Sequence, residues 1–328
     1  TMTAEGAGAA YDLTGKTVWV AGHTGMVGGA IARRLETEPC RVLTAGRDDV
    51  DLTRQDAVAD WMAAERPDAV VLAAARVGGI HANATYPASF LHDNLAIALN
   101  VIESAHRVGV EKLLFLGSSC IYPREAPQPM PEEALLTGPL EPTNEPYAVA
   151  KIAGIKACQA YRRQHGDDFV AVMPTNLYGP GDNFHPTDSH VPAALMRRFH
   201  EAKVRGAAEV TVWGTGTPRR EFLFVDDLAD ACVFVLKHHT GEQFLNVGTG
   251  TDVTIRDFAE TMKAVVGYEG DLVFDTNRPD GAPRKLLDVR RLMALGWTAR
   301  TPLFEGLERT YAWFREHWEA GTLPERGT

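Results

Sequence analysis

Two short stretches of the chain hold side chains whose types and spacing suit acid–base chemistry. Tyr147 and Lys151 lie four residues apart, so on a helix beginning at Pro146 both side chains would point from one face. A lysine ammonium close to a phenol favours the phenolate, so this pair is expected to lower the tyrosine pKa from about 10 towards neutrality. Ser118 follows the apolar run 112–117, which is typical of a buried strand, and its hydroxyl could hold a carbonyl oxygen. Together these residues predict an active site.

The Tyr-x-x-x-Lys spacing taken alone is a weak signal, because on an arbitrary helix such a pair is usually structural. The context of Tyr147 and Lys151 makes it stronger. The pair follows a predicted strand that ends in Ser118 and Ser119, and the chain opens with a glycine-rich turn between a strand and a helix. Catalysis is therefore favoured over a structural role.

That glycine-rich turn connects the apolar stretch 16–21, which predicts a buried strand, to a helical stretch that continues through Glu36. The spacing G-x-x-G-x-x-G permits a tight turn and a close approach of the backbone to a pyrophosphate, which the N–H groups at a helix N-terminus attract. The residues of the turn are Gly22, His23, Thr24, Gly25, Met26, Val27 and Gly28. They predict a bound dinucleotide cofactor.

The end of the second predicted strand, residues 41–46, indicates which dinucleotide is bound. An NAD enzyme usually offers an acid there to the 2′-hydroxyl of the adenosine ribose, but this chain has Arg47. A guanidinium can bind a 2′-phosphate bidentately, so we predict NADPH/NADP+, the alternative being a solvated loop arginine. The small, glycine-rich loop 73–80, which contains Ala74, is expected to pass beneath the cofactor.

Composition and charge exclude several classes of protein. The chain has 328 residues, 45% hydrophobic and 23% charged, and contains no apolar run approaching the roughly 20 residues of a membrane helix. A net charge of -10 disfavours nucleic acids and anionic membranes as partners. The four cysteines have neither metal-ligand nor disulfide-framework spacing, so we expect no metal site and a cytoplasmic location. Residues 1–14 are expected to form a flexible tail.

Strand and helix signals alternate through the first half of the chain. Helices are predicted at residues 54–65, 87–108 and 147–164, and strands at 69–72, 112–117 and 169–173. This alternation implies right-handed crossovers and an α/β fold with a Rossmann-type, doubly wound parallel sheet. We place an NADP-binding domain at residues 15–181, to which segments near 215–250 return. Residues 182–328, with predicted helices at 192–203 and 254–266 and strands at 210–213 and 243–247, are expected to form mainly a smaller α/β substrate-binding region.

Several motifs together resemble one known family. Gly22-x-x-Gly25-x-x-Gly28, Ser118, Tyr147-x-x-x-Lys151 and Arg-Glu-Phe-Leu-x-Val-Asp-Asp are similar to motifs of the extended short-chain dehydrogenases/reductases that act on nucleotide sugars. Longer blocks, such as Leu-Gly-Ser-Ser-Cys-Ile-Tyr-Pro, extend the resemblance over nearly the whole chain from residue 16. It implies an enzyme that epimerises GDP-4-keto-6-deoxy-D-mannose at C3 and C5 and then reduces C4 with NADPH to give GDP-L-fucose.

The resemblance also implies roles for individual residues. A C4 ketone acidifies the protons on C3 and C5, so each epimerisation needs a base, an acid on the opposite ring face and a group that stabilises the enolate oxygen. Cys120 is implied as the base and His190 as the acid, while Ser118 and Tyr147 hold the oxygen; which of Cys120 and His190 serves each epimerisation stays open. Further cofactor-binding residues are implied at Lys151, Pro174, Thr175, Asn176, Leu177 and His190. Substrate-binding residues are implied or expected at Asn176, Arg198, Trp213, Arg220 and Asp280, with Lys285 as a further candidate cation for the diphosphate.

Two features depart from the family pattern: Thr24 stands where some members carry a phosphate-binding arginine, and the connection 238–243 is short. Two other functions are compatible with part of the motifs. A nucleotide-sugar 4-epimerase or single-step ketoreductase would need no Cys120 and His190, and a dinucleotide sensor would not need the Tyr147–Lys151 pair.

Because family members usually pair through two long helices, we also expect a homodimer formed around residues 87–108 and 147–164.

Overall fold

The central strands of the molecule are short runs of aliphatic and β-branched residues that are buried on both faces, as a parallel sheet between two helical layers requires. The computed structural model describes residues 10–278 and 280–326; most of the expected N-terminal tail, residues 1–9, lies outside the described residues. The strands are β1 (Thr17–Ala21), β2 (Arg41–Ala45), β3 (Ala69–Leu72), β4 (Lys112–Leu116), β5 (Phe169–Pro174), β6 (Asn176–Tyr178), β7 (Glu209–Trp213), β8 (Arg219–Arg220), β9 (Phe222–Phe224), β10 (Leu245–Val247), β11 (Val253–Thr254), β12 (Asp271–Asp275) and β13 (Arg284–Lys285).

Six of these strands form one parallel sheet in the order β10-β5-β4-β3-β1-β2. The chain runs outward from β1 to β2 and then crosses to β3 on the other side of β1. The carboxyl ends of β1 and β3 therefore meet at a topological switch point, where open α/β sheets bind their ligands.

Helices cover both faces of this sheet, with smaller elements beyond it. They are α1 (Met26–Leu35), α2 (Gln55–Glu65), α3 (Ile80–Thr85), α4 (Pro87–Val108), α5 (Glu145–His165), α6 (Val191–Arg205), α7 (Val225–His238), α8 (Ile255–Val266), α9 (Arg290–Ala294) and α10 (Leu303–Ala320). Among residues 10–278 and 280–326, none of the helices combines the length and the apolar character needed to cross a bilayer.

The alternating side chains of β1 divide the main core in two. Trp19 and Ala21 pack with α2, α4 and α5 on one face, whereas Val18 and Val20 pack with α1 and α7 on the other. A third core joins α6, α8 and α10 to β7 and β9, centred on buried Phe199, Phe258 and Phe314. The third core adjoins the sheet at the carboxyl ends of its strands, because β6 follows β5 directly and pairs with β9.

The predicted fold class is confirmed, with small errors in the boundaries of its elements. The helix predicted at 87–108 has those limits, but α5 begins at Glu145, ahead of the proline at which we expected it to start. The strand predicted at 243–247 is shorter, Leu245–Val247, and pairs with β5 in the main sheet as expected. The loop predicted at 73–80 is loop only to residue 79, because α3 begins at Ile80. The elements that were not predicted include α3, α9, α10, β12 and the short strands β6, β11 and β13.

Candidate active site

Strand β4 and the turn after it position the first two candidate catalytic residues. The strand ends at Leu116, and a single turn of 3₁₀ helix, Ser119–Ile121, follows it. The Ser118 hydroxyl oxygen caps this turn by accepting a hydrogen bond from the Cys120 backbone N–H at 3.4 Å. Both side chains are half-buried, so the cap holds a hydroxyl and a thiol together at the carboxyl edge of the sheet.

Helix α5 brings Lys151 against the same edge. The helix lies close to β4, since a Cβ added at Gly154 would be 2.3 Å from the Phe115 ring. At this distance the buried Lys151 ammonium donates a hydrogen bond of 2.8 Å to the Leu116 carbonyl oxygen and lies 5.1 Å from the centre of the Phe115 ring. The lysine is thus anchored to the last residue of β4.

Tyr147 lies one turn earlier on α5, above this lysine. The Lys151 nitrogen is 5.8 Å from the centre of the Tyr147 ring, and the edge of Phe90 on α4 contacts that ring at a centroid distance of 6.4 Å. The expected common face is therefore present, and a contact with α4 that the sequence did not predict helps to fix the tyrosine.

The expected lowering of the Tyr147 pKa by Lys151 is wrong. Burial raises the pKa of Tyr147 because the phenolate would be desolvated, and the charge of Cys120 acts in the same direction. Burial also lowers the pKa of Lys151 to about 8. We predicted the opposite for the tyrosine because the sequence shows the spacing of the pair but not its removal from water.

Cys120 lies within electrostatic range of two ammonium groups. Burial raises the pKa of the Cys120 thiol, whereas the hydrogen bond with Ser118 and then the charges of Lys285 and Lys151 lower it. The charge of Cys120 in turn acts on Tyr147 and Lys151. A thiol, a phenol and two amines therefore share one site.

The glycine-rich turn has the shape of a phosphate cradle at the switch point. Gly22 has φ +97°, and a Cβ there would lie 2.7 Å from the Ala74 backbone in the loop after β3. Gly28 admits no side chain either, because a Cβ would lie 2.1 Å from the Gly22 carbonyl oxygen. The buried His23 Nδ1 has no hydrogen-bond partner within the part of the chain that the structure describes. These features fit a dinucleotide bound across Gly22–Gly28 and Ala74.

Arg47 lies away from the catalytic group, exposed after the outermost strand β2. Three strand spacings separate β2 from β4, about 14 Å at ~4.8 Å for each spacing. Its charge helps to lower the pKa of Asp51, after the hydrogen bonds that this carboxylate accepts from Thr53. This separation suits an extended dinucleotide whose adenosine end lies at β2 and whose nicotinamide end lies near β4.

The segment after β5 lies against the third core. Pro174 ends β5, Asn176 and Leu177 begin β6, and the Thr175 N–H bonds to the Val247 carbonyl oxygen at 3.0 Å. The Asn176 amide and the Thr175 hydroxyl both donate to the backbone carbonyl oxygen of Glu221, at 2.9 and 3.4 Å.

Glu221 connects further parts of the site, although no role was predicted for it. Its fully buried carboxylate accepts hydrogen bonds from the N–H groups of Gly250 and Leu287, at 2.8 and 3.0 Å. Its neighbour Arg220 pairs with Lys285 in the register of β8 and β13. Glu221 lies between Arg220 and Phe222 in the motif Arg-Glu-Phe-Leu-x-Val-Asp-Asp, and this position was the sequence signal that could have identified it.

His190 is the N-cap residue of α6 and is exposed in this structure. Its loop approaches the cofactor side of the molecule, since a Cβ added at Gly79 would lie 3.8 Å from the Ser189 carbonyl oxygen. Burial raises the pKa of Asp182 to about 6, and the nearby charges of His190 and Arg326 oppose this. The structure thus places His190 on the segment that crosses the loop after β3, separate from the β4 edge.

The candidate substrate cations form two groups. Arg220 and Lys285 lie on adjacent strands, Lys285 within electrostatic range of Cys120, and burial lowers the pKa of both side chains. Asp280 attracts Arg220, while its carboxylate accepts hydrogen bonds from the Thr215 N–H and hydroxyl at 2.9 and 2.7 Å. This group can hold an anion beside the thiol.

The second group lies at the edge of the third core. Arg198 on α6 donates to the Thr211 carbonyl oxygen at 2.8 Å, and with Trp213 it lines a surface cavity of about 480 Å³. Trp213 is 63% exposed, and the Arg278 guanidinium lies 4.8 Å from the centre of its ring. A flat, stacked aromatic side chain of this kind can pack against a planar base.

Comparison with known proteins agrees with this geometry. Residues 18–248 match the NAD dependent epimerase/dehydratase family. GDP-L-fucose synthase 1 of Arabidopsis thaliana is 61% identical over 90% of this chain and 92% of its own, and GDP-L-fucose synthase of Escherichia coli K12 is 55% identical over 93% and 98%. Among solved structures, a GDP-L-fucose synthetase from Naegleria fowleri bound to NADP is similar with a TM-score of 0.89 and 28% identity, covering 97% of this chain and all of the other.

Proposed function

Since the chain belongs to the NAD dependent epimerase/dehydratase family, we propose that it carries out the reaction of a GDP-L-fucose synthase. It epimerises GDP-4-keto-6-deoxy-D-mannose at C3 and C5 and reduces C4 with NADPH, giving GDP-L-fucose for nucleotide-sugar biosynthesis. The observation that carries this proposal is the Cys120 thiol, which lies beside Ser118, Tyr147 and Lys151 with the charge of Lys285 close to it. A ketoreductase or 4-epimerase needs no such thiol.

Ser118 and Tyr147 hold the C4 oxygen of the sugar. Their hydroxyls donate hydrogen bonds to this oxygen, so they stabilise the negative charge that develops when a neighbouring carbon loses a proton. The raised pKa of Tyr147 keeps its phenol protonated near neutral pH, as a hydrogen-bond donor and later a proton donor requires.

Cys120 acts as the base of epimerisation and His190 as the acid. The thiolate removes a proton from C3 or C5 on one face of the ring, and His190 returns a proton to the same carbon on the other face, which inverts that centre. Burial raises the pKa of the Cys120 thiol, and the charges of Lys285 and Lys151 act against this rise, in favour of the thiolate that this step needs. Cys120 lies at the β4 edge and His190 at the N-terminus of α6. These different positions suit proton transfer on opposite faces of the sugar ring.

When bound, NADPH would supply the hydride that C4 receives. Tyr147 gives its proton to the C4 oxygen, and Lys151, anchored to the Leu116 carbonyl oxygen, holds a positive charge below the phenol as the proton leaves. The residues that would hold the cofactor are the turn Gly22–Gly28, the loop at Ala74, the segment 174–177 and, for the 2′-phosphate, Arg47.

The C-terminal half holds the substrate nucleotide. We assign mainly this role to residues 182–328 and cofactor binding to residues 15–181, with the segment 215–250 contributing to both. Arg220 and Lys285 bind the diphosphate together with Asn176, and Arg198 and Trp213 contact the nucleotide at the neighbouring cavity. Asp280 orients the loop that carries these contacts through its bonds to Thr215.

We also propose a homodimer in the cytoplasm. The packed pair α4 and α5 exposes apolar side chains, among them Leu99 at 48% and Val149 at 41%, and a second copy of the pair would cover them. All four cysteines are free thiols, as a reducing compartment favours. Light scattering at micromolar concentration should give the mass of a dimer, and a monomer mass would contradict the proposal.

The test of the proposed reaction uses NADPH absorbance and mass spectrometry of the sugar nucleotide in D₂O. Wild-type protein should consume NADPH with GDP-4-keto-6-deoxy-D-mannose, incorporate deuterium at C3 and C5, and turn over the dTDP-4-keto-6-deoxy sugar poorly. Cys120→Ser and His190→Asn should lose deuterium incorporation while hydride still reaches C4 of an unepimerised or half-epimerised sugar. Deuterium exchange at the wild-type rate in Cys120→Ser would overturn the role of the thiol.

A further inference from the structure

The C-terminal segment that follows α10 folds back along the loop that leads to His190. Leu323 packs against the third core, the Pro324 carbonyl oxygen accepts a hydrogen bond of 2.9 Å from the Phe184 N–H, and Glu325 forms an ion pair with Arg197 on α6. Because these contacts involve the backbone, a half-buried side chain and a charge pair, they fix the path of the segment.

Arg326 continues this path to the cofactor side of the molecule. Its backbone N–H donates to the Asn183 side-chain oxygen at 2.8 Å, and the Asn183 amide donates to the Arg326 carbonyl oxygen at 3.0 Å. This reciprocal pair holds the backbone of Arg326 whatever its side chain does. The direction of the side chain is therefore a property that can be tested separately.

The Arg326 guanidinium reaches the glycine-rich turn, 302 residues earlier in the chain. One of its terminal nitrogens donates a hydrogen bond of 2.8 Å to the Thr24 carbonyl oxygen. The guanidinium has five N–H donors in a planar fork, so this bond leaves further donors beside the turn. The first turn of α1 contains no acidic residue that would compete for them.

The same turn offers several other features suited to an anion. The N-terminus of α1, where backbone N–H groups and the helix dipole favour an anion, lies in this turn. The buried His23 Nδ1 has no hydrogen-bond partner among residues 10–278 and 280–326. A bidentate guanidinium is the side chain best matched to a phosphate group. The charge of Arg326 also acts on the buried Asp182, which lies at the start of the loop that leads to His190.

We propose that Arg326 is a further cofactor-binding residue, whose guanidinium pairs with a phosphate group of the bound dinucleotide at the turn Gly22–Gly28. This inference rests on the proposed function, since it takes the dinucleotide site as given. It means that the C-terminal segment supplies a positive charge at the phosphate cradle in addition to Arg47 on the far strand. The segment also links the occupancy of that cradle to the position of the His190 loop.

The test measures direct binding of NADPH and NADH to the full chain without any sugar substrate, by isothermal titration. In Arg326→Met the Kd for NADPH should rise about tenfold or more, the change expected when a hydrogen bond to a charged group is lost. Arg326→Lys should recover part of that loss because it keeps the charge. If NADPH binding falls and NADH binding does not, the partner is the 2′-phosphate; if both fall equally, it is the diphosphate.

Glu325→Gln is the matched control, because it removes the ion pair with Arg197 but leaves the guanidinium at the turn. It should bind both dinucleotides as the wild type does. Unchanged NADPH binding in Arg326→Met would overturn the proposal, and so would an equal loss in Glu325→Gln, which would indicate only a loosened segment. Because no sugar is present, a wrong substrate would not affect this result, whereas a wild-type chain that binds neither dinucleotide would refute the proposed function itself.

Discussion

Replacement of Lys151 by methionine should change how the stability of the protein depends on pH. The ammonium is buried, and its pKa falls from 10.5 to about 8 on folding. The folded state therefore disfavours the charged form, and the unfolded state binds more protons between these two values. By linkage, the wild-type free energy of unfolding gains a contribution as the pH rises from about 8 towards 10.5, and a chain without this amine lacks that gain.

The magnitude follows from the two pKa values. Keeping the ammonium in the folded protein costs about 3 kcal/mol at pH 7 and about 1.4 kcal/mol at pH 9.5. Methionine removes this cost but leaves the Leu116 carbonyl oxygen without its donor, a loss of about 1–3 kcal/mol that does not depend on pH. Between pH 7 and 9.5 the free energy of unfolding of the wild type should therefore rise by about 2 kcal/mol relative to that of Lys151→Met, whichever protein is more stable at pH 7.

Urea unfolding of both proteins at several pH values between 7 and 9.5 measures this difference, and changes in other titrating groups cancel in the comparison. Lys156→Met, a substitution of an exposed lysine on the same helix, controls for the loss of a positive charge. Parallel stability profiles for wild type and Lys151→Met would show that folding does not depress the pKa of this amine. The reasoning about the environment of Tyr147 would then be wrong as well.

Three further predictions concern single groups of the site. Tyr147→Phe should still exchange deuterium at C3 and C5 while NADPH consumption falls about 10²–10⁴-fold, the usual contribution of a general acid, and equal loss of both activities would contradict separate roles. Arg47→Ala should raise the Michaelis constant for NADPH far more than for NADH, and equal effects would remove Arg47 from the 2′-phosphate. Alkylation of Cys120 by iodoacetamide should accelerate only at a higher pH than alkylation of an ordinary thiol does, because burial raises the Cys120 pKa. Lys285→Met should move the pH profile of alkylation higher still, because it removes a charge that lowers the thiol pKa. An unmoved profile would exclude the pairing of Cys120 with Lys285.

Local patterns were sufficient to predict the main sheet. Several of its strands are apolar runs closed by glycine, as β1 is before Gly22 and β4 before Gly117, and this pattern depends only on neighbouring residues. The helix α10 was missed although Leu307, Tyr311 and Phe314 recur at helical spacing on its buried face. That signal was present in the sequence. By contrast, α3 is only six residues long, too short to show a period.

Contacts distant in sequence could not be predicted in the same way. The bond from Arg326 to Thr24 joins residues 302 positions apart and depends on the path of the last segment over the third core. The error in the Tyr147 pKa has a related cause. Spacing on a helix shows which charges are neighbours, whereas desolvation depends on every element packed around the group, including Phe90 on α4.

The order of the two proposed reactions follows from the way one oxygen is shared. Epimerisation needs the C4 ketone, because only the carbonyl acidifies the protons on C3 and C5, and hydride transfer destroys that ketone. If Ser118 and Tyr147 hold the C4 oxygen in both reactions, C3 and C5 lie on either side of a fixed C4. A single thiol at the position of Cys120 can then serve both neighbouring carbons without release of the sugar, once it has given the first proton to solvent and His190 has taken up another. The raised pKa of Tyr147 supports this order, since a phenol that stays protonated can stabilise two successive enolates and still hold the proton that accompanies reduction.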